Sequence, residues 1–194
     1  MRTSAYGFAL VWIACITANL AAWGQVTNPN WPGRFDVAFT YNPMLANLTT
    51  GNEFWMQGGS GQVHARIRGG LGVAGNVIGL HIGDMHGSGV GLDLIAYTFG
   101  PRYTWAPARS SFSFFGEALV GGVHGANSIF PTGNQFNPSG NSLAVQLGGG
   151  VGKPLSHHFL VRIFEADWLR TQLPNATTNV QNNLRLGAGV VWRF

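Results

Sequence analysis

The chain has 194 residues, 9% of them charged, with 29 glycines, 12% aromatic residues and a net charge of +4. Disorder needs many charges and few aromatics, so this composition excludes it; it also departs from an ordinary soluble domain, where about a quarter of residues are charged. The basic residues are dispersed rather than gathered into a run that could follow a phosphate backbone, so no nucleic-acid partner is expected.

The N-terminus reads as an export signal. Arg2 supplies positive charge, an apolar stretch covers 8–22, and Ala22-Trp23-Gly24 places small residues at −3 and −1 of a cleavage site before Gln25. Residues 1–24 are therefore expected to be a signal peptide and 25–194 one mature domain. Cys15, the only cysteine, leaves with the peptide, so the mature domain is expected to have neither thiol nor disulfide. After this segment no uncharged apolar run reaches the length of a membrane-spanning helix.

From Arg34 onward, alternating segments are separated by Gly, Pro, Asn and Ser clusters, the pattern of strands and turns. A first strand covers 34–42, with Phe35, Val37, Phe39 and Tyr41 on one face. A second covers 62–68, a tight Gly69-Gly70 turn follows, and a third covers 71–82. The fourth is 92–105, the fifth 111–124, the sixth 142–152 and the seventh 158–171. The eighth, 183–194, alternates Leu184, Leu186, Ala188, Val190, Trp192 and Phe194 with Arg185, Gly187, Gly189, Val191 and Arg193.

Connections after the odd strands are the long ones: 43–61, 83–91, 125–141 and 172–181. Short periplasmic turns and long extracellular loops give this rhythm in membrane barrels. The apolar face carries aromatics at strand ends (Phe35, Tyr41, Trp105, Trp168, Trp192), as interfacial girdles do. The other face carries Arg, Asp, Glu and Gly, and no sandwich core would hold such charges unpaired. The fold class expected is all-β: an eight-stranded antiparallel up-and-down transmembrane β-barrel after a cleaved signal peptide, in the bacterial outer membrane with its lipid as partner.

The stretches GLGVAGNVIGLH (70–81), YTFGPRY (97–103), FFGEALVGGVHG (114–125), VRIFEADWLRT (161–171) and QNNLRLGAGVVWRF (181–194) resemble the OmpA-like eight-stranded outer-membrane barrels, the outer membrane protein β-barrel domain family. The resemblance implies that Trp192 and Phe194 form a C-terminal assembly signal read by the barrel-assembly machinery. It also implies that Gly100-Pro101-Arg102 is tolerated inside the fourth strand by a bulge, since a closed barrel offers Pro101 no free edge.

Chemistry concentrates on the inward face. Arg66, Arg102 and Arg185 are expected to pair with Glu117, Glu165 and Asp167 in an interior charge network, because an eight-stranded barrel is just wide enough for side chains to fill it and a buried charge must find a partner. Arg162 has the opposite parity to Glu165 and Asp167: either a bulge intervenes, or Arg162 points outward and snorkels. The histidines lie on different strands and turns without metal-ligand spacing, so no metal is expected.

Asp84, His86 and Ser88 hold the parts of a hydrolytic site, but a glycine-flanked loop is a poor place to fix a nucleophile. No catalytic residue and no cofactor are expected. The function expected is a plugged, salt-bridged structural barrel or a scaffold for extracellular binding loops. The alternatives are a small pore and a lipid-modifying enzyme. A charge at lumen-facing Gly189 or Val191 is expected to be milder than one at lipid-facing Val190.

The signal-peptide reading predicts that protein extracted from the membrane lacks residues 1–24. Intact mass starting at Gln25 is the expected result; a mass that includes the segment contradicts it.

Overall fold

A computed structural model describes residues 34–49, 52–85, 87–107, 110–132, 134–175 and 177–194. The proposed signal peptide and its cleavage site lie outside them. The described chain forms eight strands: β1 (Phe35–Thr49), β2 (Asn52–Arg68), β3 (Leu71–Ile82), β4 (Leu92–Trp105), β5 (Ser113–Thr132), β6 (Gln135–Pro154), β7 (Phe159–Thr171) and β8 (Gln181–Arg193). Each pairs antiparallel with its neighbours in sequence, and β8 pairs back onto β1, so the sheet is a closed barrel. The closing ladder runs in one register from Asp36↔Arg193 to Leu45↔Leu184.

The outer surface follows the alternation. Phe35, Tyr41, Trp105, Trp168 and Trp192 all stand exposed on it. At the end that carries the short turns, Phe159 stacks on Trp192 and Trp192 on Phe194, with centroids 5.6 and 5.3 Å apart. The Phe194 N–H donates to the Phe35 carbonyl at 2.8 Å, tying the last residue to the first strand. At the other edge of the apolar band the outward residues turn polar and pair with one another. Tyr41 donates to Gln57 at 2.8 Å, His81 meets Asp93 at 2.5 Å, and His124 meets Asn141 at 2.8 Å.

Two expected loops are not loops. The segment 43–61 lies within the β1–β2 hairpin, whose pairing continues without a shift from Phe35↔Ala65 to Asn47↔Glu53. The segment 125–141 lies within the β5–β6 hairpin, each strand of which has 20 residues, although about 9–11 suffice to cross the bilayer. Gly, Asn, Ser and Pro mark these stretches as turn-like, but above the lipid two strands that pair with each other need no apolar face. A bulge past Ala126, where Asn127 takes a φ of 56°, bends the β5–β6 hairpin. The segments 83–91 and 172–180 do run as loops between strands.

The bulge expected at Pro101 is absent. Its pairing with β3 is continuous, and the β4–β5 register is the same on both sides, Phe99↔Val120 and Arg102↔Glu117. Gly100 and Pro101 simply have no ladder partner on β5, which is where the missing N–H is accommodated.

The interior is layered. In the periplasmic half and the middle it is polar, as the alternation implies. In the extracellular half it is apolar: Met44, Met56, Ile78, Leu80, Leu92 and Leu94 are buried against one another, with Phe130, Leu169 and Leu173 closing the same cluster. Lower down, Val191 packs against Ala38 and Leu160 and borders a small cavity that Asp36, Arg102, Arg162 and Arg193 also line. A charge at Val191 would therefore enter a space bordered by three guanidiniums and one carboxylate, where an acidic residue is expected to be milder than a basic one.

Val190 is lipid-facing and half exposed, at 52%. Val190→Arg is expected to cost about 2–4 kcal/mol if it lies near the bilayer midplane. Gly189→Ala is expected to destabilise too, although it faces inward, because a Cβ there would sit 2.0 Å from the Phe39 carbonyl oxygen. Val190→Leu should be nearly neutral. Urea midpoints in lipid vesicles measure all three, and equal midpoints for Val190→Arg and Val190→Leu would reverse the inside–outside assignment.

Candidate functional site

Strand register builds the polar middle of the barrel. It places Arg102 opposite Glu117 on β4 and β5, and Asp167 opposite Arg185 on β7 and β8. A register shift in β7 between Arg162 and Glu165 turns both side chains inward, so the bulge alternative holds and Arg162 does not snorkel. Arg162 is 1% exposed and its Nη1 donates to Glu165 Oε2 at 2.5 Å.

Arg185 is the centre of the outer part of this layer. Its Nη2 donates to both Glu165 and Asp167. Its Nη1 donates to Asn42 Oδ1 at 2.7 Å, and Thr40 donates to the same oxygen at 3.1 Å. One guanidinium thus ties β8 to β7 and β1. Asp167 approaches β6 so closely that a Cβ on Gly148 would lie 1.7 Å from its Oδ1, so only glycine fits there.

Gln62 is the second centre. Its Oε1 accepts from Arg102 Nη1 at 2.6 Å and from Arg162 Nη2 at 2.9 Å. Its Nε2 donates to both oxygens of Glu117 at 3.0 Å. Gln146 donates to Glu117 at 3.2 Å and accepts from Thr98 at 3.0 Å. Arg102 lies 3.9 Å from Glu117, so Gln62 rather than direct contact couples that pair. A neutral amide with both donors and an acceptor can join two charges of each sign, which a carboxylate or guanidinium cannot.

Five of the six residues read from sequence as the interior network therefore stand together in this layer: Arg102, Glu117, Glu165, Asp167 and Arg185. Arg66 stands elsewhere. It is half-buried near the periplasmic mouth, opposite Gly72, two inward-facing positions below Gln62. Arg162, Gln62 and Gln146 went unassigned in the sequence. Arg162 was hidden by the bulge, whereas the two glutamines share the parity of the charged residues and could have been included on that ground.

Glu117, Glu165 and Asp167 bring carboxylate oxygens within 4.8 Å of one another, a spacing a cation could use. The guanidiniums of Arg162 and Arg185 already supply positive charge to two of them, and the donor set is that of an ion-pair network rather than an open metal site. His64 is buried with Nδ1 2.8 Å from Asp36. In the loop over 83–91, Asp84 accepts from the Gly89 N–H at 2.9 Å and Ser88 from the Val90 N–H at 3.2 Å, so both are engaged in turns; His86 lies outside the described residues.

A closed eight-stranded antiparallel barrel, apolar outside and ion-paired within, is the architecture of bacterial outer-membrane barrels. No protein-family model matches the chain, and no curated protein matches it in sequence. Solved structures do match. Neisserial surface protein A superposes with a TM-score of 0.61 at 15% identity, covering 84% of this chain and 98% of that one. Ail, the attachment invasion locus protein of Yersinia pestis, superposes at 0.58 and 17% identity, covering 84% of this chain and 99% of that one. Ail has also been crystallised with the heparin analogue sucrose octasulfate. At these identities the likeness shows the fold.

Removing one member of a buried ion network leaves the others uncompensated. Arg185→Met, which strands Asp167 and leaves Glu165 with Arg162 alone, is expected to cost about 3–5 kcal/mol. Gly148→Ala should displace Asp167 and weaken the same contacts. Urea unfolding of the refolded barrel measures both; a loss below about 1 kcal/mol for Arg185→Met would show that the network is not a stabilising unit.

Proposed function

We propose that this protein is a plugged outer-membrane barrel that serves as a structural scaffold for its extracellular hairpins, not a channel and not an enzyme. The observation that carries the reading is the two-layer filling of the interior. Across the middle, Arg162, Arg185, Glu165 and Asp167 are each no more than 1% exposed. Above them Met44, Met56, Leu92 and Leu169 are equally buried. A hydrated ion would have to pass an ion-paired layer and then an apolar one, and transfer of a bare charge into the latter is prohibitive.

The extended hairpins give the scaffold its reach. They carry exposed Trp55, Ile129 and Phe136, which suit either contact with another surface or anchoring at the lipid boundary. A sulfated ligand such as the heparin analogue crystallised with Ail fits this chain poorly. On the extracellular side the described hairpins and loops carry Glu53, Asp84 and Asp93 against Arg170, so an anionic polymer would meet net negative charge. Trp192 and Phe194, stacked at the closing seam, are proposed as the signal that the assembly machinery reads.

Planar-bilayer recording tests the reading. Pure refolded protein is expected to show no steady conductance, and a large, stable single-channel conductance would overturn it in favour of a pore. Lipid A mass spectra unchanged by the protein are the expected result for a non-enzyme.

A further inference from the structure

Below the ion-paired layer, at the periplasmic ends of the strands, the barrel encloses a small cavity that the network does not use. Asp36, Arg102, Thr104, Ser113, Arg162 and Arg193 line it, and its volume is about 20 Å³. That is room for one or two water-sized spheres. Three guanidiniums therefore face one carboxylate. Register sets Asp36 directly opposite Arg193, and Asp36 also meets His64.

Arg102 and Arg162 are held unusually close for like charges. Both donate to the same Gln62 Oε1, and both guanidiniums lie over the Phe115 ring, at 3.9 and 4.6 Å from its centroid. Each also has a buried Nε–H that finds no acceptor in the protein. Of the carboxylates near them, Asp36 shares the cavity, its Oδ1 also without a partner, while Glu165, which takes Arg162 Nη1, and Glu117, 3.9 Å from Arg102, lie on the far side toward Arg185. Buried guanidinium donors without acceptors are costly, and two neighbouring cations raise that cost.

The geometry points to a binding site for a single halide-sized anion, chloride under physiological conditions, held in this cavity by Arg102 and Arg162 with Arg193 adding charge. A monatomic anion accepts from several N–H donors at once in any direction, which suits donors arriving from different strands. At about 20 Å³ the cavity is too small for a free phosphate or sulfate ion, so the site selects by size. Phe115, Leu160 and Val191 complete the lining.

The test compares the native barrel with Ser113→Asp and Ser113→Ala, since Ser113 lines the cavity without holding any member of the ion network, and alanine leaves the space open. Unfolding is followed in detergent, in chloride and in gluconate at equal ionic strength. Gluconate is too large to enter. Native protein and Ser113→Ala are expected to unfold roughly 5–10 °C higher in chloride at about a hundred times its dissociation constant. Ser113→Asp, which supplies its own anion, is expected to lose that difference. Equal responses to chloride in all three proteins would overturn the proposal. Crystals of native protein grown in bromide give a second reading that needs no variant: an anomalous peak is expected between Arg102 and Arg162, and its absence from the cavity, with water there instead, would overturn the site.

Discussion

The constraint from which this structure follows is that lipid offers backbone N–H and C=O groups no partner. Every strand must then be paired on both sides, and only closure achieves that. Here closure rests on β8 returning to β1 in a single register, Asp36↔Arg193 through Leu45↔Leu184, with the terminal Phe194 N–H bonded to Phe35. The same requirement explains how Pro101 is tolerated. It interrupts one ladder only, at two positions, while its other side stays paired with β3.

Closing eight strands leaves an interior whose size is set by strand number, so its filling becomes a packing problem. The chain solves it differently at different depths. Where the lumen meets the extracellular hairpins, Met, Leu and Ile fill it as they would a soluble core. In the middle, charges fill it in pairs that register places face to face, and neutral side chains mediate between them. Gln62 joins Arg102, Arg162 and Glu117; Asn42 and Thr40 complete the shell of Arg185. An ion pair of this kind is stable only while complete, because loss of one partner strands the other without water. The layer couples β1, β2, β4, β5, β7 and β8 through side chains, beyond what backbone ladders alone provide.

Charge is also distributed along the barrel axis. The periplasmic rim carries Arg34, Arg66, Arg68 and Lys153, and the extracellular side carries Glu53, Asp84 and Asp93. Between them the network holds Arg102, Arg162 and Arg185 against Glu117, Glu165 and Asp167. In the cavity below, Arg193 joins Arg102 and Arg162 around the single carboxylate of Asp36.

The amino-acid sequence by itself determined the class, the number of strands and which residues face lipid. Side chains alternate with a period of two, so aromatic stripes such as Phe35–Phe39–Tyr41 and Leu184–Val190–Trp192 are legible without any partner strand. It also marked five of the charged residues that meet inside, because their parity is fixed locally. Three things were decided only by tertiary structure. Hairpin length was one: Gly- and Asn-rich segments look like loops until a second strand is seen to pair with them. The facing of Arg162 was another, since a bulge shifts parity by an amount no local pattern states. The third was the character of the lumen at each depth. Ile78 and Leu94 belong to runs apolar on both faces, Val77-Ile78 and Leu94-Ile95-Ala96, and only the barrel shows that one of those faces is sealed against its neighbours rather than open to water.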